Sequence, residues 1–274
     1  MVPNLISQAL AAFSGRVLTK GYVDRLLTQK NQLRAQLFGL LLGEGLIRKI
    51  VFKNPYGGRT LFTLPDVTDT EIAQALVPRG FISHAAAAFM HGLLPRPSII
   101  HINLEQSAKP QPSIPLTQEG IDRAFRRPPR TSQMVFKSSE FSVQVIAGKK
   151  SGRLGVESVN HGGAVIEVTG IERTLIDLTV RPEYAGGAKQ VLQAYRKAAG
   201  RANVGLLLKT LRGLNYVYPY HQAIGYFLSR TRFRSSNLKE LQKLGMNYKF
   251  YLEKGESVSG YDASWQVHLP KGFK

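Results

Sequence analysis

The chain has 274 residues, with 37 Lys and Arg against 18 Asp and Glu, for a net charge of +19. That length suits two units of roughly 100 to 200 residues each, and 43% hydrophobic with 20% charged residues excludes wholesale disorder. With no cysteine, a disulfide framework, a cysteine zinc site and a thiol nucleophile are all excluded.

The excess of positive charge implies a polyanionic partner, because Lys and Arg that meet phosphates release condensed counterions. Ten basic residues and no acid lie between Glu183 and Glu240. Pro3 and Asn4 follow the first residues where a secretory leader would carry charge and then an apolar run, and no stretch approaches ~18 apolar residues. The expectation is a cytoplasmic protein with no membrane partner.

In chain order, Pro3 with Leu5, Ile6, Ala9, Leu10 and Phe13 predicts a first helix ending near Gly15. Thr19 is placed to cap a second helix with Val23, Leu26 and Leu27 inward, and a third follows with Leu33, Leu37, Leu40 and Leu41 as its buried stripe. Its opposite side carries Thr28, Asn31, Gln32, Ala35 and Gly39, with Arg34 on the flank. The segment 46–53, a turn at 54–58 and the return 59–64 predict a hairpin with a basic tip. Three helices closed by a hairpin predict a winged helix-turn-helix over residues 1–66, the alternative being a winged helix that docks protein.

On the DNA-binding reading, Asn31 and Gln32 would pair with bases and Ala35 would meet a thymine methyl. Thr28, Lys30 and Arg34 would address the groove edge, Lys53, Asn54 and Arg59 would hold the sugar-phosphate backbone, and Lys20 and Gln29 are further candidate DNA-binding residues.

Residues 77–274 are expected to form a larger mixed α+β domain with a helical C-terminal half, so the fold class is α+β. A short helix at 71–76 leads in. Ser83 caps a helix running to His91, on which His84 and His91 share a face as polar tips at its surface. Strands are expected at 99–104, 134–137, 141–146, around Val156 and Val159, and at 164–168. Thr169 with Glu172 reads as a capping box opening a helix, which places Glu172 at its own helix start. Helices at 188–199, 203–214, 219–232 and 237–244 and strands at 248–252 and 265–269 complete the pattern.

Signatures of catalysis are missing. There is no G-x-S-x-G elbow, and Ala185-Gly186-Gly187-Ala188-Lys189 lacks the spacing and hydroxyl of a phosphate-binding loop. Glu253-Lys254 is the nearest approach to a metal-dependent nuclease site and has no Asp shortly upstream. The expectation is a protein that is not an enzyme and carries no cofactor or metal.

From Arg79 onward, RGFISHAAAAFMHGL (79–93), GIDRAFRRPPR (120–130), VTGIERTLIDLTVRPEYAGGAKQVLQAYRKA (168–198), YVYPYHQAIGYFL (216–228), and NYKFYL with YDASWQVHLPKG (247–272) resemble the AbiEi-type antitoxins of type IV toxin–antitoxin systems. The resemblance covers about 190 residues and the winged helix in front. It implies a transcriptional autorepressor that binds double-stranded operator DNA. It further implies an antitoxin that counteracts, directly or indirectly, an AbiEii-like nucleotidyltransferase toxin through its C-terminal domain. The basic residues Arg196, Lys197, Arg201, Lys209, Arg212, Arg230, Arg232 and Arg234 are the candidate neutralising surface. The alternative is a stand-alone winged-helix transcription factor whose C-terminal domain binds a ligand or a protein.

Overall fold

A computed structural model describes residues 16–28, 32–107, 115–233, 235–255 and 258–273. The fold is mixed α+β. The first strand, β1 (Val17–Thr19), leads into α1 (Lys20–Thr28) and α2 (Gln32–Gly43), then the hairpin β2 (Arg48–Asn54) and β3 (Gly57–Thr63), then α3 (Asp69–Leu76). Strand β4 (Phe81–Ile82), α4 (His84–Met90), β5 (Ile99–Glu105), α5 (Gln118–Arg126), β6 (Val135–Lys137), β7 (Ser142–Gly148), β8 (Val156–His161) and β9 (Ala164–Thr169) follow.

The C-terminal part is helical as expected. It comprises α6 (Ile171–Val180), a 3-10 turn (Pro182–Ala185), α7 (Ala188–Ala198), α8 (Val204–Leu214), α9 (Tyr220–Ser229) and α10 (Ser235–Gln242). Strands β10 (Phe250–Tyr251), β11 (Val258–Asp262) and β12 (Val267–Pro270) form a small separate sheet.

The large sheet has nine strands in the order β1-β3-β2-β6-β7-β5-β4-β9-β8. It is mixed: β5–β7 and β4–β9 are parallel and the other pairs antiparallel. Front and rear segments therefore share one sheet, joined where Lys53 of β2 pairs with Lys137 of β6.

The hydrophobic cores follow from the two-residue strand period, which sends alternate side chains to opposite faces. On one face Ile50, Phe52 and Leu61 of the hairpin pack with Ile72 and Leu76 of α3 and with Ile102, Phe136 and Val143 of the rear strands. On the other, Leu18, Val23, Phe38, Leu41, Ile47 and Phe62 form a small core under α1 and α2. A third core gathers α6–α9 with Phe125, Phe250 and Trp265.

Local signals account for several boundaries. Thr19 Oγ1 accepts from the Tyr22 amide (3.3 Å), Thr117 Oγ1 from Gly120 (3.1 Å) and Asn203 Oδ1 from Leu206 (3.1 Å), each satisfying a first-turn donor that the helix leaves unpaired. Arg16 reaches Glu71 (3.2 Å), Asp66 (3.1 Å) and the Gly162 carbonyl (3.1 Å), tying the start of the described chain to the β8–β9 turn. Among the described residues no helix is long and apolar enough to cross a membrane.

Some expectations are corrected. Strands β1, β4 and β11 are short and carry no alternation of their own, so their sequences gave no signal. Leu40 is 45% exposed, and Phe38 takes the expected core place, stacking edge-on against Phe62 at 5.1 Å. The capping box does not form. The helix cap is Gly170, and Glu172 accepts from the Asn203 amide (2.7 Å) at the start of α8 instead of returning to its own helix. His84 and His91 are not surface tips. His84 has φ +52, outside helical backbone, so seven-residue spacing does not align it with His91; its buried ring meets Ser83 Oγ at 2.9 Å. His91 Nε2 donates to the Thr169 carbonyl at 2.7 Å.

Candidate nucleic-acid interface

The front segment presents one side of α2 and one face of the hairpin to solvent. Along α2, Ala35, Gln36, Gly39, Leu40 and Gly43 are exposed while Phe38 and Leu41 are buried, as the ~100° advance per residue requires. At Gly39 and Gly43 no atom of the described residues lies within 4 Å of where a Cβ would stand, so among them this side of the helix is open and low in relief.

Register decides what the hairpin contributes. Directly paired residues of antiparallel strands point to the same face. Lys49 pairs with Phe62, whose ring packs on Phe38 of α2, so Lys49, Val51 and Lys53 share the face on which α1 and α2 lie. Lys53 pairs across β2–β6 with Lys137, which adds a third lysine to that face. All three are exposed and none forms an ion pair among the described residues.

Arg59 pairs with Phe52, a fully buried ring, and so stands on the face of the hairpin opposite Lys49 and Lys53. There its guanidinium donates to the Leu76 carbonyl (2.8 Å) and lies 5.6 Å from the centre of the Phe136 ring. It joins the hairpin to α3 and β6 while its side chain stays exposed. Sequence reading missed Lys49 and Lys137. Alternation along β2 carried a signal for Lys49, whereas Lys137 is brought there only by long-range pairing.

Other expected residues fall as follows. Lys20 is paired with Asp24 at 2.9 Å on an exposed turn of α1. Asn54 Oδ1 accepts from the Tyr56 amide (2.7 Å) and shapes the hairpin turn, leaving Tyr56 81% exposed at the tip. Thr28 ends α1, and Gln32 and Arg34 lie in the first turn of α2. Gln29, Lys30 and Asn31 lie outside the described residues.

The proposed neutralising residues are not gathered at one point. Arg196 and Lys197 are exposed on α7, which packs against α6 and the 3-10 turn, and Lys209 and Arg212 on α8, which packs mainly against α6. Arg201 donates to the His91 carbonyl (2.8 Å). Arg230 lies over Tyr226 at 5.1 Å and 3.9 Å from Asp262, Arg232 is exposed, and Arg234 lies outside the described residues.

The phrases behind the family resemblance build the interior. In ERTLIDL, Arg173 Nε donates to Asp177 Oδ1 (2.8 Å), both 3% exposed, and Arg173 Nη1 donates to the Leu154 carbonyl (2.7 Å). In RPEYAGG, the Tyr184 ring stands 5.2 Å from His84 and 5.1 Å from His101. Burial lowers the pKa of His84 well below its ordinary value, with further lowering from His101 and Arg181. Burial lowers that of His101 to about 4 against a raising hydrogen bond from Gln144. Glu253, the nearest nuclease candidate, accepts from the Ala188 amide and so caps α7 behind Gly187.

No protein-family model matches the chain, and no match is found among curated proteins. The fold is similar to that of the crystal structure of the Rv2827c protein from Mycobacterium tuberculosis, with a TM-score of 0.58 and 16% identity, covering 97% of this chain and 89% of that one. At this identity the likeness concerns the fold alone.

Proposed function

We propose that the protein is a DNA-binding transcriptional autorepressor and antitoxin without catalysis of its own. The observation that carries the DNA-binding part is the side shared by the open face of α2 and the unpaired Lys49, Lys53 and Lys137. In this reading β1, two helices and a hairpin returning to pair with β1 make a winged helix, with α2 in the major groove and the lysines on flanking phosphates. The antitoxin role, directed at an AbiEii-like nucleotidyltransferase, rests on the family resemblance of residues 79–272.

The test is binding of the full chain to its own upstream region and to scrambled duplex, followed by fluorescence anisotropy across a salt series. The expected result is tighter binding to the upstream region with a steep negative salt slope, to which each phosphate-neutralising lysine contributes about 0.9. Absence of a salt-sensitive complex would remove the DNA-binding reading. Co-expression with a neighbouring nucleotidyltransferase gene, scored by growth, tests the antitoxin role separately.

A further inference from the structure

A cavity of about 520 Å³ lies between α5, the end of α6 and the 216–220 segment. Among the described residues, five cations line it, Arg127, Arg130, Lys149, Arg181 and Lys254, with a single carboxylate, Glu183. None of the five cations is in an ion pair among the described residues.

Like charges held together at a partly desolvated site repel one another, and a bound anion relieves that repulsion. The Lys254 ammonium sits 5.1 Å from the centre of the Phe125 ring, half-buried, and burial depresses its pKa; the Glu183 carboxylate opposes that shift, and Arg181 and Arg130 add to it. Lys254 and Glu183 also line an adjoining cavity of about 430 Å³, where Lys189 and Lys271 stand with a second carboxylate, Glu253.

Aromatic side chains line the same cavity. Tyr216, Tyr218 and Tyr220 follow one another at alternate positions and are braced edge-on, Tyr218 against Phe125 at 5.3 Å and Tyr216 against Tyr220 at 5.4 Å. Lys149 is held at the rim by the Asn215 carbonyl (2.6 Å), 5.9 Å from the centre of the Tyr216 ring. Inorganic phosphate would use only the cations and leave most of this volume empty. A ligand with phosphates at one end and a planar ring at the other uses both sets of side chains, as bases stack on aromatic side chains while cations hold their phosphates.

We infer that this cavity binds a nucleoside polyphosphate, with the phosphates on Arg127, Arg130 and Lys254 and the base against the half-buried Tyr216 and Tyr218. The same chemistry could be supplied by a strand of DNA, and the experiment separates the two sources.

Calorimetric titration of the full chain in magnesium-free buffer compares ATP, inorganic tripolyphosphate and adenosine. Saturable ATP binding is expected, several-fold weaker for tripolyphosphate and absent for adenosine. The double variant Arg127→Ala/Arg130→Ala changes two exposed side chains and is expected to weaken ATP by about tenfold or more, while duplex binding stays unchanged. No saturable ATP binding, equal affinity for tripolyphosphate, or an unaltered affinity in the double variant overturns the inference. Loss of duplex binding in that variant, with no ATP bound by the parent, overturns it in favour of DNA.

Discussion

Lys53 and Lys137 stand directly opposite one another in the antiparallel register that joins the front hairpin to the rest of the nine-stranded sheet. Like charges directly opposite across a strand pair are destabilising, by a share of the roughly 0.2–1 kcal/mol such pairs are worth. Lys137→Thr is therefore expected to raise the unfolding free energy by a few tenths of a kcal/mol while lowering the salt slope of DNA binding by about 0.9. Thermal unfolding and anisotropy on the same preparation check both signs. A loss of stability with DNA binding intact would mean that the pair serves the fold and not a ligand.

Lys49 and Arg59 occupy opposite faces of one hairpin and should separate cleanly. Lys49→Ala is expected to weaken binding to every duplex sequence with little change in stability. Arg59→Ala removes the bond to the Leu76 carbonyl and the stacking over Phe136, costing about 1–2 kcal/mol and leaving the salt slope as it was. Denaturant titration beside DNA binding distinguishes them; a reduced slope in the Arg59 variant alone would reverse the assignment of faces.

Acid should destabilise the protein through His101. Its pKa falls to about 4 in the folded chain from an ordinary 6.5, because burial beside His84 and Tyr184 penalises the charged ring. Between those values the unfolded chain binds the proton and the folded chain does not. The contribution of this group is thus fully present above pH 6.5 and is lost as pH falls, by about 3 kcal/mol near pH 4. His84 shifts in the same direction. Unfolding midpoints measured from pH 7 to pH 4 should fall more gently in His101→Gln; superimposable acid limbs would contradict this account.

The buried Arg173–Asp177 pair should be intolerant of one-sided change. Asp177→Ala leaves a guanidinium that is 3% exposed without its carboxylate, with an expected loss of about 3–5 kcal/mol. Joint replacement of both residues by apolar ones of similar volume should recover much of that loss. Equal instability of the single and double variants, read by chemical denaturation, would show that packing and not charge dominates at this position.

Gly225 lies on α9 where any Cβ would overlap the Trp265 ring. Ala ordinarily favours a helix over Gly by up to about 1 kcal/mol, so a destabilised Gly225→Ala variant in thermal unfolding would confirm that close approach to the indole outweighs propensity. A stabilised variant would deny the close packing.

Much of the chain's local structure was legible in its order of residues. Thr19 and Asn203 each announced a helix start, the 54–58 turn announced the hairpin, and most of the helices from 171 to 242 were expected close to where they form. Legibility failed where backbone departed from regularity, as at His84, and where a side chain's partner came from far along the chain, as with Glu172 and the Asn203 amide. The cationic cavity was the least visible feature, since Arg130, Lys149, Tyr218 and Lys254 come from separate elements.

By itself the sequence determined that this is a basic α+β protein, where most helices and strands begin, and which residues can alternate between faces. Only the tertiary structure decided which face of each strand stays open. It set Arg59 and Lys53 on opposite faces of the hairpin, brought Lys137 beside Lys53, and drew the cations around Lys254 together. The reason is that a strand's alternation defines two faces without ranking them, and the ranking comes from strand register and from what packs on each side.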